Sequence, residues 1–181
     1  MDYKKYINKT YEPFTIEVEK GRLRAFAGAI GENDPIYSDE SSAKAAGYAS
    51  IPAPLTFAFS ITMDAGQSFN ALEDMGIQKT KAVHGEQGFK YYKPICAGDV
   101  VTGQQKITDI YEKKGGALLF IVMEISLSNQ RNELVCELQS TIVVRNGWLL
   151  MLQQKSQNDP VLRIIAKHHY LEILLVRIAA G

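Results

Sequence analysis

Glu32, Asp34 and Tyr37 stand close together in the segment Ile30-Gly31-Glu32-Asn33-Asp34-Pro35-Ile36-Tyr37. Two carboxylates and a phenol around a proline-bearing turn can do general acid–base chemistry on a small substrate or a water. A carboxylate takes up a proton, and a neighbouring hydroxyl orients it by hydrogen bonding. The phenol is the weak member: its unperturbed pKa is about 10, so near neutrality it is a poor base and a reluctant acid. A group that titrates closer to neutral pH is His84, in His84-Gly85-Glu86-Gln87-Gly88-Phe89, where strand alternation puts His84, Glu86 and Gly88 on one face. Each candidate has a plainer reading. Asn33-Asp34-Pro35 is a turn former in its own right, and that reading is preferred to direct catalysis. A lone strand histidine carries little information, and a polar residue that hydrogen-bonds across a subunit interface is preferred for His84.

The elements that must position these residues follow from periodicity. Phe14 to Val18 alternates apolar and polar residues as a half-buried strand does. A helix follows from Glu19 to about Ile30, with Leu23, Phe26, Ala27 and Ile30 on one face and Arg22 and Arg24 off it. Gly31 stops it. Asp39 to Gly47 reads as a short helix capped by Asp39 and ended by Gly47. The prolines make Ile51-Pro52-Ala53-Pro54 extended. Leu55 to about Asp64 is apolar almost all round, which predicts a buried helix. From Ala65 to Thr80 the pattern is polar and less defined.

Four strands follow: Ala82 to Tyr92, Val100 to Tyr111, Ala117 to Leu127 and Leu134 to Val144. The short connections between them predict an antiparallel meander. One sheet wrapped around a central helix places the chain in the α+β class. Beyond it, Trp148 to Gly181 does not continue the sheet. Asp159-Pro160 starts a predicted helix of about 20 residues, nearly a bilayer's length. Arg163, Lys167, Glu172 and Arg177 favour an amphipathic helix packed on this domain or on another subunit. The expected division is a sheet-and-helix domain over 1–147 and an extension over 148–181, which carries His168 and His169.

Composition narrows the classes further. The chain has 181 residues, 46% hydrophobic and 22% charged, as one globular domain with a real core would. Lys plus Arg and Asp plus Glu both number 20, so no basic excess points to nucleic acid. Cys96 and Cys136 lie far apart, without zinc or CxxC spacing, and are expected as two small apolar thiols near the core. No metal or cofactor is implied. Met1 to Tyr6 is basic without an apolar run behind it, so it is not a signal peptide, and a cytoplasmic protein without a membrane span is expected.

Five segments, in order, carry a resemblance: Gly31-Glu32-Asn33-Asp34-Pro35-Ile36-Tyr37, Gly47-Tyr48, Ala53-Pro54-Leu55-Thr56-Phe57, His84-Gly85-Glu86-Gln87 and Ala97-Gly98-Asp99. From about Phe14 to Val144 the chain resembles the MaoC-like dehydratases, in particular their N-terminal-domain, FAS1-like type. The resemblance implies a single hot-dog fold. It also implies the hydration or dehydration of an acyl thioester, in which an Asp and a His share the water and a backbone N–H at the start of the central helix receives the thioester carbonyl. Here the acid position is Glu32, the Asn position is Asp34 and the His position is Tyr37. Where active relatives have a glycine near the helix start, this chain has Leu55, in the Ala-Pro-Leu-Thr-Phe version found in non-catalytic members.

The resemblance therefore implies Glu32, Tyr37 and His84 as candidate catalytic residues, and Asp34, Pro54, Leu55, Thr56 and Phe57 as candidate substrate-binding residues. Members of this type commonly lack the Asp–His pair and work with a catalytic hot-dog subunit. The expected partners are an acyl-CoA or acyl-carrier-protein thioester and a second hot-dog subunit, in a homodimer or heterodimer. Three readings stay open: an accessory acyl-binding subunit of a (3R)-hydroxyacyl-thioester dehydratase, a self-sufficient hydratase using Glu32 with Tyr37 or His84, and an acyl-CoA binding protein without lyase activity.

Overall fold

A computed structural model describes residues 2–146. The expected helix from Asp159-Pro160 onward, and the division at 147, lie outside or at the limit of the described residues. The elements are β1 (Phe14–Glu17), α1 (Lys20–Ala29), α2 (Glu40–Ala45), α3 (Phe57–Asp64), α4 (Asn70–Asp74), β2 (Ala82–Tyr91), β3 (Val100–Lys113), β4 (Leu118–Ser128) and β5 (Leu134–Arg145). They make one antiparallel five-stranded sheet with the helices over its inner face, the hot-dog arrangement.

The strand order is β1-β3-β4-β5-β2. The meander holds only for β3, β4 and β5. β2 and β3 are not paired; β2 lies beyond β5 at the far edge. The reason lies in the partners of the connection between them. The Tyr92 amide donates to the Val135 carbonyl, Ile95 accepts from the Ala53 amide, Ala97 donates to Ile51, and Val18 and Asp99 bond in turn. The segment thus crosses the end of the sheet, three strand spacings or about 14 Å. Gly98, at φ +90°, makes the last turn, and the Asp99 carboxylate accepts from the Cys96 amide at 2.8 Å.

Side chains on β3 alternate strictly, with Val101, Gly103, Gln105 and Ile107 inward. A bulge between Ile107 and Asp109 resets the phase so that Ile110 also faces in. Two apolar clusters result. Phe57, Ala58 and Ile61 of α3 pack on Val101, Ile125, Leu127 and Leu138. Ala71, Leu72 and Met75, at and just after α4, pack on Ile107, Ile110, Leu119 and Ile121. The polar stretch from Ala65 thus hides a helix whose few apolar residues all point inward.

Two expectations about burial are corrected. Ile30 is 52% exposed because it is the residue that caps α1, after the last inward turn. α3 is not buried all round: Phe57, Ala58, Ile61 and Thr62 are its buried residues, and Met63 is 43% exposed. Cys96 and Cys136 are buried free thiols. Among the described residues no helix is long and apolar enough to cross a membrane.

Candidate active site

The Glu32 segment is built by the end of α1. Gly31, at φ +76°, lets its amide bond Gly28 and the Glu32 amide bond the Ala27 carbonyl, closing the helix end. Glu32 Oε1 then accepts from the Asp34 amide at 3.2 Å, and Asp34 Oδ1 accepts from the Ile36 amide at 3.0 Å. Both carboxylates are exposed and hold their own turn. Tyr37 ends a single helical turn, Pro35–Tyr37. Its phenol is raised above its ordinary pKa by burial first, then by the charge of Glu32 and by Tyr48 and Asp34. At neutral pH it is a poorer proton carrier than a free tyrosine.

Tyr37 lines a small cavity of about 70 Å³ with Tyr48, Leu55, Tyr91 and Pro94 at the start of α3. The structure therefore brings together Glu32, Asp34, Tyr37 and Leu55. Leu55 is 66% exposed, standing over this cavity rather than sealed in the core. Thr56 is the residue that caps α3, without a side-chain bond, and the Pro54 carbonyl accepts the Phe57 amide. Phe57 itself is core, edge-on to Phe26 at 5.2 Å between ring centres.

His84 lies elsewhere. A larger cavity of about 400 Å³ opens between the two apolar clusters, under α3, within the usual range for small-molecule sites. Phe59, Thr62 and Met63 form its roof; Gln105, Met123, Ile125, Ser140 and His84 lie on its sheet side. The His84 ring stacks on Phe59 with centres 5.0 Å apart, and its Nε2 is 3.2 Å from both Gln87 Oε1 and Ser140 Oγ. None of the Glu32–Tyr37 segment lines this cavity.

The expected partnership of His84 with Glu86 on one face is corrected by a bulge. His84 pairs with Ile142 but Glu86 pairs with Thr141, the adjacent residue of β5, so the two point to opposite faces. Gln87, paired with Ser140, joins His84 instead. Gly85 makes the bulge possible, since a Cβ there would lie 2.6 Å from Val143.

Gln105 and Ser140 were not among the sequence candidates. Their signal was phase: each sits at an inward position among apolar residues, Val101 and Ile107 on one strand, Leu138 and Ile142 on the other. Lys93 and Lys90 face Glu133 and Glu137 as surface ion pairs. Among the described residues no group of three or more His, Cys, Asp or Glu could hold a metal ion.

Residues 5–138 match the family model described as "FAS1-like, dehydratase domain region". A UPF0336 protein of Thermobifida fusca is 38% identical over 122 residues, covering 67% of this chain and 80% of that protein. The HadBC (3R-hydroxyacyl-ACP dehydratase) complex of Mycobacterium tuberculosis superposes with a TM-score of 0.67 at 25% identity, over 76% of this chain and 96% of the other. A MaoC-like dehydratase superposes at 0.73 and 23% identity, over 82% of this chain but only 45% of the other. With most of its length matched by the family model, the chain belongs to the FAS1-like dehydratase domain family and has the hot-dog fold of a MaoC-like dehydratase.

Proposed function

We propose that this chain is the acyl-thioester-binding, non-catalytic subunit of a (3R)-hydroxyacyl-thioester dehydratase or enoyl-thioester hydratase, completed by a hot-dog partner that carries the acid–histidine pair. The carrying observation is a division of labour inside the site. The Glu32–Tyr37 turn has its carboxylates bonded to its own backbone and a phenol with a raised pKa, while an apolar cavity stays open under α3. Moving water on or off an acyl thioester needs a group that takes and returns a proton near neutral pH. Tyr37 is poorly suited to that, and His84 is held by Ser140 and Gln87 away from Glu32.

The cavity includes Ala82 and Val83 of β2, a strand at the sheet edge. An edge strand offers unpaired backbone groups to another chain. A partner added there would lie beside the cavity and bring its own proton carriers to the acyl group. The HadBC neighbour, a dehydratase solved as a complex, supports the reading.

Hydration of crotonyl-CoA, followed by loss of enoyl absorbance, tests it. The chain alone gives no turnover; with a hot-dog subunit carrying an intact Asp–His pair, turnover rises above that of the partner alone and is unchanged by Glu32→Gln. Turnover by the chain alone, abolished by Glu32→Gln, would make it a self-sufficient hydratase. Acyl-CoA binding with no turnover in any pairing would make it a binding protein without a lyase role.

A further inference from the structure

The cavity under α3 is not a plain hydrocarbon pocket. Gln105 and Ser140, only 3% and 4% exposed, break its apolar sheet side. Cross-strand register sets Gln105 beside Ile125, and Ser140 between Met123 and Gln87, so the polar groups lie on adjacent rows of the inner face. Ser140 has a partner in His84. Gln105 is poorly served: its one side-chain hydrogen bond among the described residues runs from Nε2 to the Met123 sulfur. A thioether sulfur is a weak acceptor, and the carboxamide also has an oxygen with two lone pairs to satisfy. Lining the cavity, the carboxamide can take further partners from an occupant, which a leucine filling the same space could not.

A ligand in the cavity can supply those partners. A hydroxyl suits a carboxamide best, because it can donate to Oε1 and accept from Nε2 at once. Exposed Met63, Phe69 and Val83 mark the open side of the cavity, with Lys79 Nζ 4.9 Å from the Phe69 ring centre. A thioester and its carrier would stay at this rim, with the chain inside.

We propose that the cavity takes an acyl chain bearing a hydroxyl distal to the thioester, and that Gln105 is the residue that recognises it. The proposal rests on the acyl-thioester reading above and names its substrate class: hydroxylated rather than plain saturated chains.

Calorimetric titration of the full chain with dodecanoyl-CoA and with its positional monohydroxy isomers tests this. One mid-chain or distal isomer is expected to bind about tenfold tighter than dodecanoyl-CoA, the worth of one well-made buried hydrogen bond. Gln105→Leu removes that advantage and leaves dodecanoyl-CoA affinity equal or higher. Gln105→Met, checked by thermal unfolding, serves if the leucine variant does not fold. Equal affinity across the series, or a preference that survives in the variants, overturns the proposal while leaving acyl binding intact. Tightest binding of the 3-hydroxy isomer also overturns it, since Gln105 would then serve the reacting hydroxyl. Failure of every acyl-CoA to bind overturns the acyl-thioester reading itself.

Discussion

One added methyl group at Gly85 tests what turns His84 into the cavity. A Cβ there lies 2.6 Å from Val143 Cγ2 and 3.2 Å from the Thr141 carbonyl oxygen. Carbon atoms pack best at roughly 3.5–4.0 Å, so the Val143 methyl must retreat by about 1 Å. The Thr141 carbonyl, fixed in the sheet, keeps the β2 backbone from retreating the other way. Overpacking of this kind costs about 1–3 kcal/mol. Alanine returns about 0.5–1 kcal/mol over glycine in a strand, through lower chain entropy. Gly85→Ala should therefore lose about 1–2 kcal/mol. At a urea slope of about 1–3 kcal/mol per molar, its unfolding midpoint falls by roughly 0.3–2 M. The loss should shrink in a Val143→Ala background, with a coupling of about 1 kcal/mol in the double-mutant cycle. The same variant should bind dodecanoyl-CoA more weakly, because the strained bulge carries His84. A Gly85→Ala chain as stable as the parent, or a loss undiminished by Val143→Ala, would refute the close approach.

Gly103→Ala drives a Cβ to 2.2 Å from Phe14 Cζ. It should unpack β1 and lose about 2–4 kcal/mol in urea unfolding, more than Gly85→Ala. The Glu133 carboxyl is held down to about 2 by hydrogen bonds from Asn129, Lys93 and Arg131. A depressed carboxyl contributes stability in full above its unfolded pKa of about 4.3. That contribution is lost as pH falls toward about 2. Unfolding midpoints measured across that window should fall less steeply in Glu133→Gln than in the parent. Burial pushes the Cys136 thiol up to about 11 and raises Cys96 as well. Neither should react with iodoacetamide at neutral pH until the chain is denatured, as read by mass spectrometry.

Much of the fold is legible because its signals are local. Alternation in Phe14–Glu17 and along β3 reports two-residue periodicity, and Gly31 and Gly47 mark helix ends where φ is +76° and +91°. The strand order was not legible. A short connection with a proline and a glycine has the form of a hairpin loop. Its backbone partners here are Val18, Ile51 and Ala53, far back in the sequence, and nothing local in Pro94–Asp99 announces them. α4 was missed for a related reason. Ala71, Leu72 and Met75 are its apolar face, but Glu73 and Asp74 interrupt the run, so only the docked helix reveals which side matters.

The two parts of the site were unequally legible, and the difference has one physical cause. The Glu32–Tyr37 turn is made almost wholly by bonds between neighbours, so its sequence nearly states its geometry. The cavity is made by residues of α3 and of four strands, β2 to β5, that meet only after the sheet forms. Within it, one bulge decides the outcome. Without the bulge that takes Gly85 out of the ladder, strand alternation would send Glu86 inward with His84 and set a carboxylate against an apolar wall, an expensive burial for an unpaired charge. With it, Glu86 turns out and Gln87 turns in, so the inner face carries only neutral donors and acceptors beside His84. The glycine that shapes β2 thus also keeps the Glu86 carboxylate off the inner face of the sheet.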